Sequence, residues 1–352
     1  MRTATMTPGG AEGRLPGPLG MAGQMLRQGT MAAVGARNTA IDAAVYDTGA
    51  LTGTEIADLA RARAVPGSVL LVGPRPRDGT QAIRYFADAD ALARAEAREQ
   101  GRAVAQIAVA GLGASALGAA ALARTVADAT GRPCAAVVAG YGREDLVAEA
   151  FGGMVFFGAA ARWKHARRTL QRRLTEIALT GGAARPAHDL PPALFETPEI
   201  ASLIALMAEP GRRLRLAVAH GRGAVTLAAA YTRLARRADG AALARAAEAQ
   251  VVTAGAAVGF PETVRWRHQV LGALDLLGRA NSDDGMVDAV VPGAGHHLNT
   301  RLPLHLDLGR VLAGVLGLAP DATAGLAPDA TAGLAPDATA GVAPDASTGT
   351  AS

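Results

Sequence analysis

From residue 68 to residue 295, short apolar runs alternate with longer Ala/Arg-rich stretches. The runs are SVLLVG (68–73), AQIAVAG (105–111), CAAVVAGYG (134–142), RLRLAVAH (213–220), QVVTAGAAVGF (250–260), HQVLGALD (268–275) and MVDAVVPGAG (286–295). A strand with little or no polar face has nothing to present to water, so it belongs in a sheet covered on both sides. Between the runs, SALGAAALARTVADATG (115–131) reads as a helix ended by Gly, and another helix is expected from Ala224. The pattern predicts an α/β fold with a mostly parallel, doubly wound sheet between helices. Hydrophobic residues make up 50% of the chain and aromatics 3%, so the core must be built from Ala, Val and Leu.

The ends have a different character. Residues 1–40 are rich in Gly, Pro and Met and lack a continuous apolar stretch, so disorder is expected there and a secretory leader is not. At the other end, GLAPDATA begins at Gly317, Gly325 and Gly333, and GVAPDAST follows at Gly341. Eight-residue units with a Pro in each and no large apolar group cannot bury a core, so 317–352 reads as a flexible tail. One domain over 41–316 remains, with a helical cap insertion at about 144–210. The uncharged stretch 103–123 is long enough to span a bilayer, but its Ala/Gly content, Gln106 and Ser115 fit a buried strand-turn-helix better.

Charge and cysteine narrow the class. A net charge of +4 over 352 residues is too small for a general nucleic-acid binder, and no nucleic-acid partner is expected. The single Cys134 can form no internal disulfide and has no zinc-ligand companions, which fits a reducing cytoplasm.

One stretch is chemically pointed. LAVAHGRGAVTLAAA (216–230) is a strand, a glycine turn and an Ala-rich helix. Its centre, Ala219-His220-Gly221-Arg222-Gly223, resembles the G-x-S-x-G nucleophile elbow of the α/β-hydrolases, with Gly221 where the serine belongs. Upstream, Ala110-Gly111-Leu112-Gly113-Ala114-Ser115 and Gly140-Tyr141-Gly142 resemble the ends of two successive strands in that family, although Ala110 stands where the family has His. The resemblance is to lipases and esterases, and it implies an oxyanion hole from the backbone N–H groups of Leu112 and Arg222. It also implies the order nucleophile, acid, base. Asp275 ends a strand after the elbow, and His296 and His297 lie in the loop after the last strand. A carboxylate on one imidazole nitrogen fixes the tautomer a general base needs.

Simpler roles stand beside these. Asp275 suits a helix N-cap for LLGRANS, with Asp283 and Asp284 as alternative acids. Ser115 and Ser282 are the nearest substitutes for the missing nucleophile, and Ser115 suits an N-cap. Adjacent His296 and His297 give poor geometry for one metal, and neither metal nor cofactor is expected. The glycines also satisfy G-x-G-x-x-A over Gly111 to Ala116, the signal of an NAD(P)-binding oxidoreductase, but the next strand ends without the acid that would confirm it. The segment 152–174 places Phe156, Phe157 and Trp163 beside six basic residues, a composition suited to a lipid or membrane surface and equally to a cap helix with a solvated Arg face. The reading is a hydrolase-like protein, weakly active or non-catalytic, that binds a small hydrophobic or acyl ligand. An active ester hydrolase with an unusual nucleophile and a nicotinamide enzyme are the alternatives.

Overall fold

The computed structural model describes residues 39–62, 64–75, 82–99, 103–111, 115–139, 197–237, 240–283 and 285–318. Most of the N-terminal segment, nearly all of the octapeptide tail, Leu112, Asp284 and the basic stretch 152–174 lie outside the described residues.

The strands are β1 (Val69–Val72), β2 (Ile83–Phe86), β3 (Gln106–Val109), β4 (Cys134–Val137), β5 (Leu216–His220), β6 (Gln250–Ala254), β7 (Arg267–Gly272) and β8 (Ala289–Val291). They form one sheet in the order β2-β1-β4-β3-β5-β6-β7-β8. β1 runs antiparallel to both its neighbours, and every pair from β4 to β8 is parallel. The expected mostly parallel α/β sheet is present.

Besides helical residues 39–45 and a 3-10 turn at Thr48–Ala50, the helices are α1 (Gly53–Arg61), α2 (Ala89–Arg98), α3 (Ala116–Thr130), α4 (Pro198–Ala208), α5 (Arg222–Arg236), α6 (Gly240–Ala247), α7 (Leu276–Asn281) and α8 (Leu308–Leu316). Successive residues of each strand feed opposite faces. Ile107, Val109, Ala217 and Ala219 pack with α2, α4, α5 and α6, whereas Ala108, Ala110, Leu216 and Val218 pack with α1, α3 and α8. Alanine is the strongest helix former and leaves little bulk, so α3 lies flat on the sheet with ten of its residues buried. Ser115 caps its start, and Gly131 ends it at φ 66°.

Three expectations need correction. β2 was not expected: Arg84 and Tyr85 point outward, so IRYF at the sheet edge lacks an apolar signature. Of the insertion expected over about 144–210, residues 144–196 lie outside the described residues, as does Gly140-Tyr141-Gly142, whereas residues 198–208 form α4, whose Leu203, Ile204, Leu206 and Met207 are core residues packed with those of α5 and α6. The helix expected from Ala224 begins at Arg222, directly after the glycine turn. Among the described residues, no helix is long and apolar enough to cross a membrane.

Candidate active site

β3 and β5 are adjacent, and the chain leaves them in opposite directions: β3 leads through α3 to β4, and β5 leads through α5 to β6. With α3 and α5 on opposite faces, the carboxyl ends of β3 and β5 border the crevice where doubly wound sheets bind ligands. Gly111 follows β3 and Gly221 follows β5. A Cβ on Gly111 would lie 2.2 Å from the His220 carbonyl oxygen, and one on Gly223 would lie 2.1 Å from that of Val109. These two glycines let the backbones meet.

Gly221 is different. Its φ of 52° and ψ of −124° lie outside the regions open to residues with a Cβ. Its missing side chain is not demanded by crowding, however. Chain neighbours aside, a Cβ there would have only two described atoms within 4 Å, His296 Nε2 at 3.3 Å and Cε1 at 3.5 Å.

The structure brings Asp275 and His296 together and separates His297 from them. Asp275 follows β7, and both its carboxylate oxygens lie 2.9 Å from His296 Nδ1. A carboxylate only accepts, so Nδ1 carries a proton, and in the neutral ring the lone pair is on Nε2. Nε2 makes no hydrogen bond among the described residues. Asp275 also caps α7 by accepting from Gly278 N–H at 2.5 Å, so its cap role and its contact with the imidazole coexist. His297 instead directs Nε2 to the carbonyl of Pro303 at 3.0 Å.

A largely buried chain of hydrogen bonds supports this arrangement. Gly111 N–H donates to the Tyr46 hydroxyl oxygen at 2.8 Å, and that hydroxyl lies 3.1 Å from His220 Nδ1. His220 Nε2 donates to the main-chain oxygen of His296 at 2.8 Å, which leaves Nδ1 to accept the tyrosine proton. Burial, followed by the repulsion of His296, pushes the His220 pKa down to about 3, so the ring is neutral and its tautomer is set. The rings of His220 and His296 stand 4.8 Å apart. Gly255, at φ 69° after β6, makes room for both: a Cβ there would lie 2.9 Å from His296 Cε1 and 3.0 Å from His220 Nε2. Sequence reading missed Tyr46 and Gly255 and treated His220 only as part of the turn.

The remaining candidates are occupied elsewhere. Ser115 Oγ caps α3. Ser282 Oγ donates to the Gly278 carbonyl at 2.7 Å and accepts from Ala257 N–H at 2.8 Å. Asp283 accepts from Gly259 N–H at 3.2 Å. At the start of α3, where a dinucleotide phosphate would sit, Asp42 Oδ2 accepts the Ser115 N–H at 2.7 Å, and a Cβ on Gly118 would strike that carboxylate. The anion position of that helix is filled by the protein's own carboxylate. Of the expected oxyanion donors, Arg222 is the first residue of α5. Among the described residues, no three His, Cys, Asp or Glu side chains are grouped to hold a metal.

Comparison with protein-family models, with curated proteins and with solved structures gives no match.

Proposed function

We propose that this chain is an α/β-hydrolase-type protein, lipase- or esterase-like, whose site keeps the acid and the base but has glycine in place of the nucleophile. One observation carries the reading: a Cβ on Gly221 would stand 3.3 Å from the nitrogen of His296 that faces it. A serine there would hold its hydroxyl within hydrogen-bond reach of a base already oriented by a carboxylate. The backbone angles of Gly221 fit the strained strand-to-helix turn that exposes such a hydroxyl. Without it no acyl-serine forms, and the site binds an acyl ester or similar apolar ligand with weak or no turnover.

The surroundings favour an apolar ligand. Leu274 and Leu276 flank Asp275 and are exposed, and so is Leu304. Backbone hydrogen bonds from Leu274 N–H to the Ala294 oxygen and from Gly295 N–H to the Leu304 oxygen hold these leucines beside the His296 loop. Leu304 has a φ of 62°, a conformation that costs a side-chain-bearing residue energy and that clusters at functional sites.

The test is Gly221→Ser. The wild-type protein should not react with a serine-directed fluorophosphonate, whereas Gly221→Ser should be labelled at residue 221. Substituting His296 or Asp275 by Ala in that variant should slow labelling about 100-fold or more, the usual range for a general base. Labelling of the wild type at Ser115 or Ser282, or labelling of Gly221→Ser that ignores His296, would overturn the reading.

A further inference from the structure

We propose that the unmodified site, resting on the reading above, hydrolyses activated carboxylic esters by direct attack of water, with His296 Nε2 as general base and no acyl-enzyme. The glycines around the site separate into two kinds. A Cβ on Gly111, Gly223, Gly255 or Gly272 would fall within 2.9 Å of a neighbouring atom, so packing requires each of them. At Gly221 the nearest such atom is the base itself, at 3.3 Å. Among the described residues, Gly221 therefore leaves room in front of Nε2, and a water hydrogen-bonded there takes the position from which a serine oxygen would attack.

The requirements of a general base are met on the protein's own atoms. Asp275 accepts the Nδ1 proton at 2.9 Å, which fixes the tautomer whose free lone pair is on Nε2 and steadies the imidazolium once Nε2 gains a proton. His220 Nε2 donates to the main-chain oxygen of His296 at 2.8 Å and so anchors the backbone that carries the ring. The amino end of the fifteen-residue α5 begins at Arg222, beside the turn, and sets positive potential where the ester oxygen gains charge.

The reaction balances without a cofactor. The water oxygen bonds to the acyl carbon as its proton passes to Nε2, and the carbonyl π pair moves onto oxygen. The tetrahedral intermediate collapses, the bond to the leaving oxygen breaks, and the proton on Nε2 passes to that oxygen or to solvent. Ester and water become acid and alcohol, and the imidazole returns to its starting form.

The experiment follows p-nitrophenyl acetate hydrolysis by the wild-type full-length protein in a rapid-mixing instrument. The expected record is linear from the first turnover, with no burst. Intact-protein mass spectra of quenched samples should show no added acetyl group. His296→Ala and Asp275→Asn, each checked for native circular dichroism, should lower the rate about 100-fold or to the buffer rate. His305→Ala serves as the control for adventitious surface imidazole. A burst, an acetylated residue, or a rate untouched in His296→Ala overturns the proposal. If His296→Ala does not fold, His296→Gln takes its place. A wild type without turnover beside a labelled Gly221→Ser overturns direct hydrolysis and leaves the hydrolase reading standing. An unlabelled Gly221→Ser overturns that reading itself.

Discussion

At the scale of single residues, His296 is braced by groups buried behind it. Tyr46 is 1% exposed and both accepts from Gly111 and bonds to His220. Tyr46→Phe would leave a buried N–H and a buried imidazole nitrogen without partners, at about 1–3 kcal/mol for each such group. Urea denaturation should show that loss as a lower midpoint with an unchanged slope. His220 gives a pH signature. Its pKa is about 3 when folded and about 6.5 when unfolded. Between those values the unfolded chain binds a proton that the folded chain does not, so stability falls as pH falls. The contribution is complete above about pH 6.5 and declines by roughly 1.4 kcal/mol per pH unit below it. Comparing unfolding free energies of the wild type and His220→Gln at pH 7 and pH 5 should show a steeper decline in the wild type.

At the scale of elements, glycine has opposite meanings in different places. Gly111 and Gly223 interlock the end of β3 with the turn after β5, since an added Cβ would lie 2.1–2.2 Å from the facing carbonyl oxygen. Gly111→Ala must push those backbones apart, at a cost of about 1–3 kcal/mol or more. Gly314 lies inside α8, exposed, with nothing within 4 Å of an added Cβ. There the glycine only weakens a helix, so Gly314→Ala should stabilise the protein by about 0.5–1 kcal/mol. Thermal melts of the two variants should move in opposite directions.

At the scale of the whole molecule, the segment 39–62 braces the sheet and the site from one side. Val45 O accepts from Leu298 N–H at 2.7 Å, Ala43 O accepts from Asn299 Nδ2 at 3.0 Å, and Thr300 Oγ1 donates to Asp47 at 2.5 Å. These contacts tie the His296 loop to the same segment that supplies Tyr46 and Asp42. Further along, Glu55 and Arg124 form a fully buried ion pair at 2.5 Å between α1 and α3. Arg124 Nε and one terminal nitrogen have no partner among the described residues, so the guanidinium depends heavily on Glu55. Glu55→Gln should destabilise by about 3–5 kcal/mol, because it strands a buried charge. The double variant Glu55→Gln/Arg124→Met should recover much of that loss in urea denaturation, and a double variant as unstable as the single one would contradict this account.

Much of this was legible in the chain. Apolar runs separated by Ala-rich stretches dictate a covered, mostly parallel sheet, because such runs offer water little or no face. The same pattern puts Gly221, Asp275 and the His296–His297 pair just beyond strand ends, where such sheets carry ligands. Tertiary structure alone decided the rest. Which of His296 and His297 meets Asp275 came from loop geometry, since adjacent identical residues look alike in sequence. Tyr46 lies 174 residues from His220 and 65 from Gly111, and no local periodicity records hydrogen bonds over such separations. β2 escaped notice because two outward polar-tipped residues hide a short edge strand, and α4 because an apolar helix reads the same in a cap as under a sheet. Local pattern determines which segments must be buried. Only the packed fold determines which buried polar groups find each other.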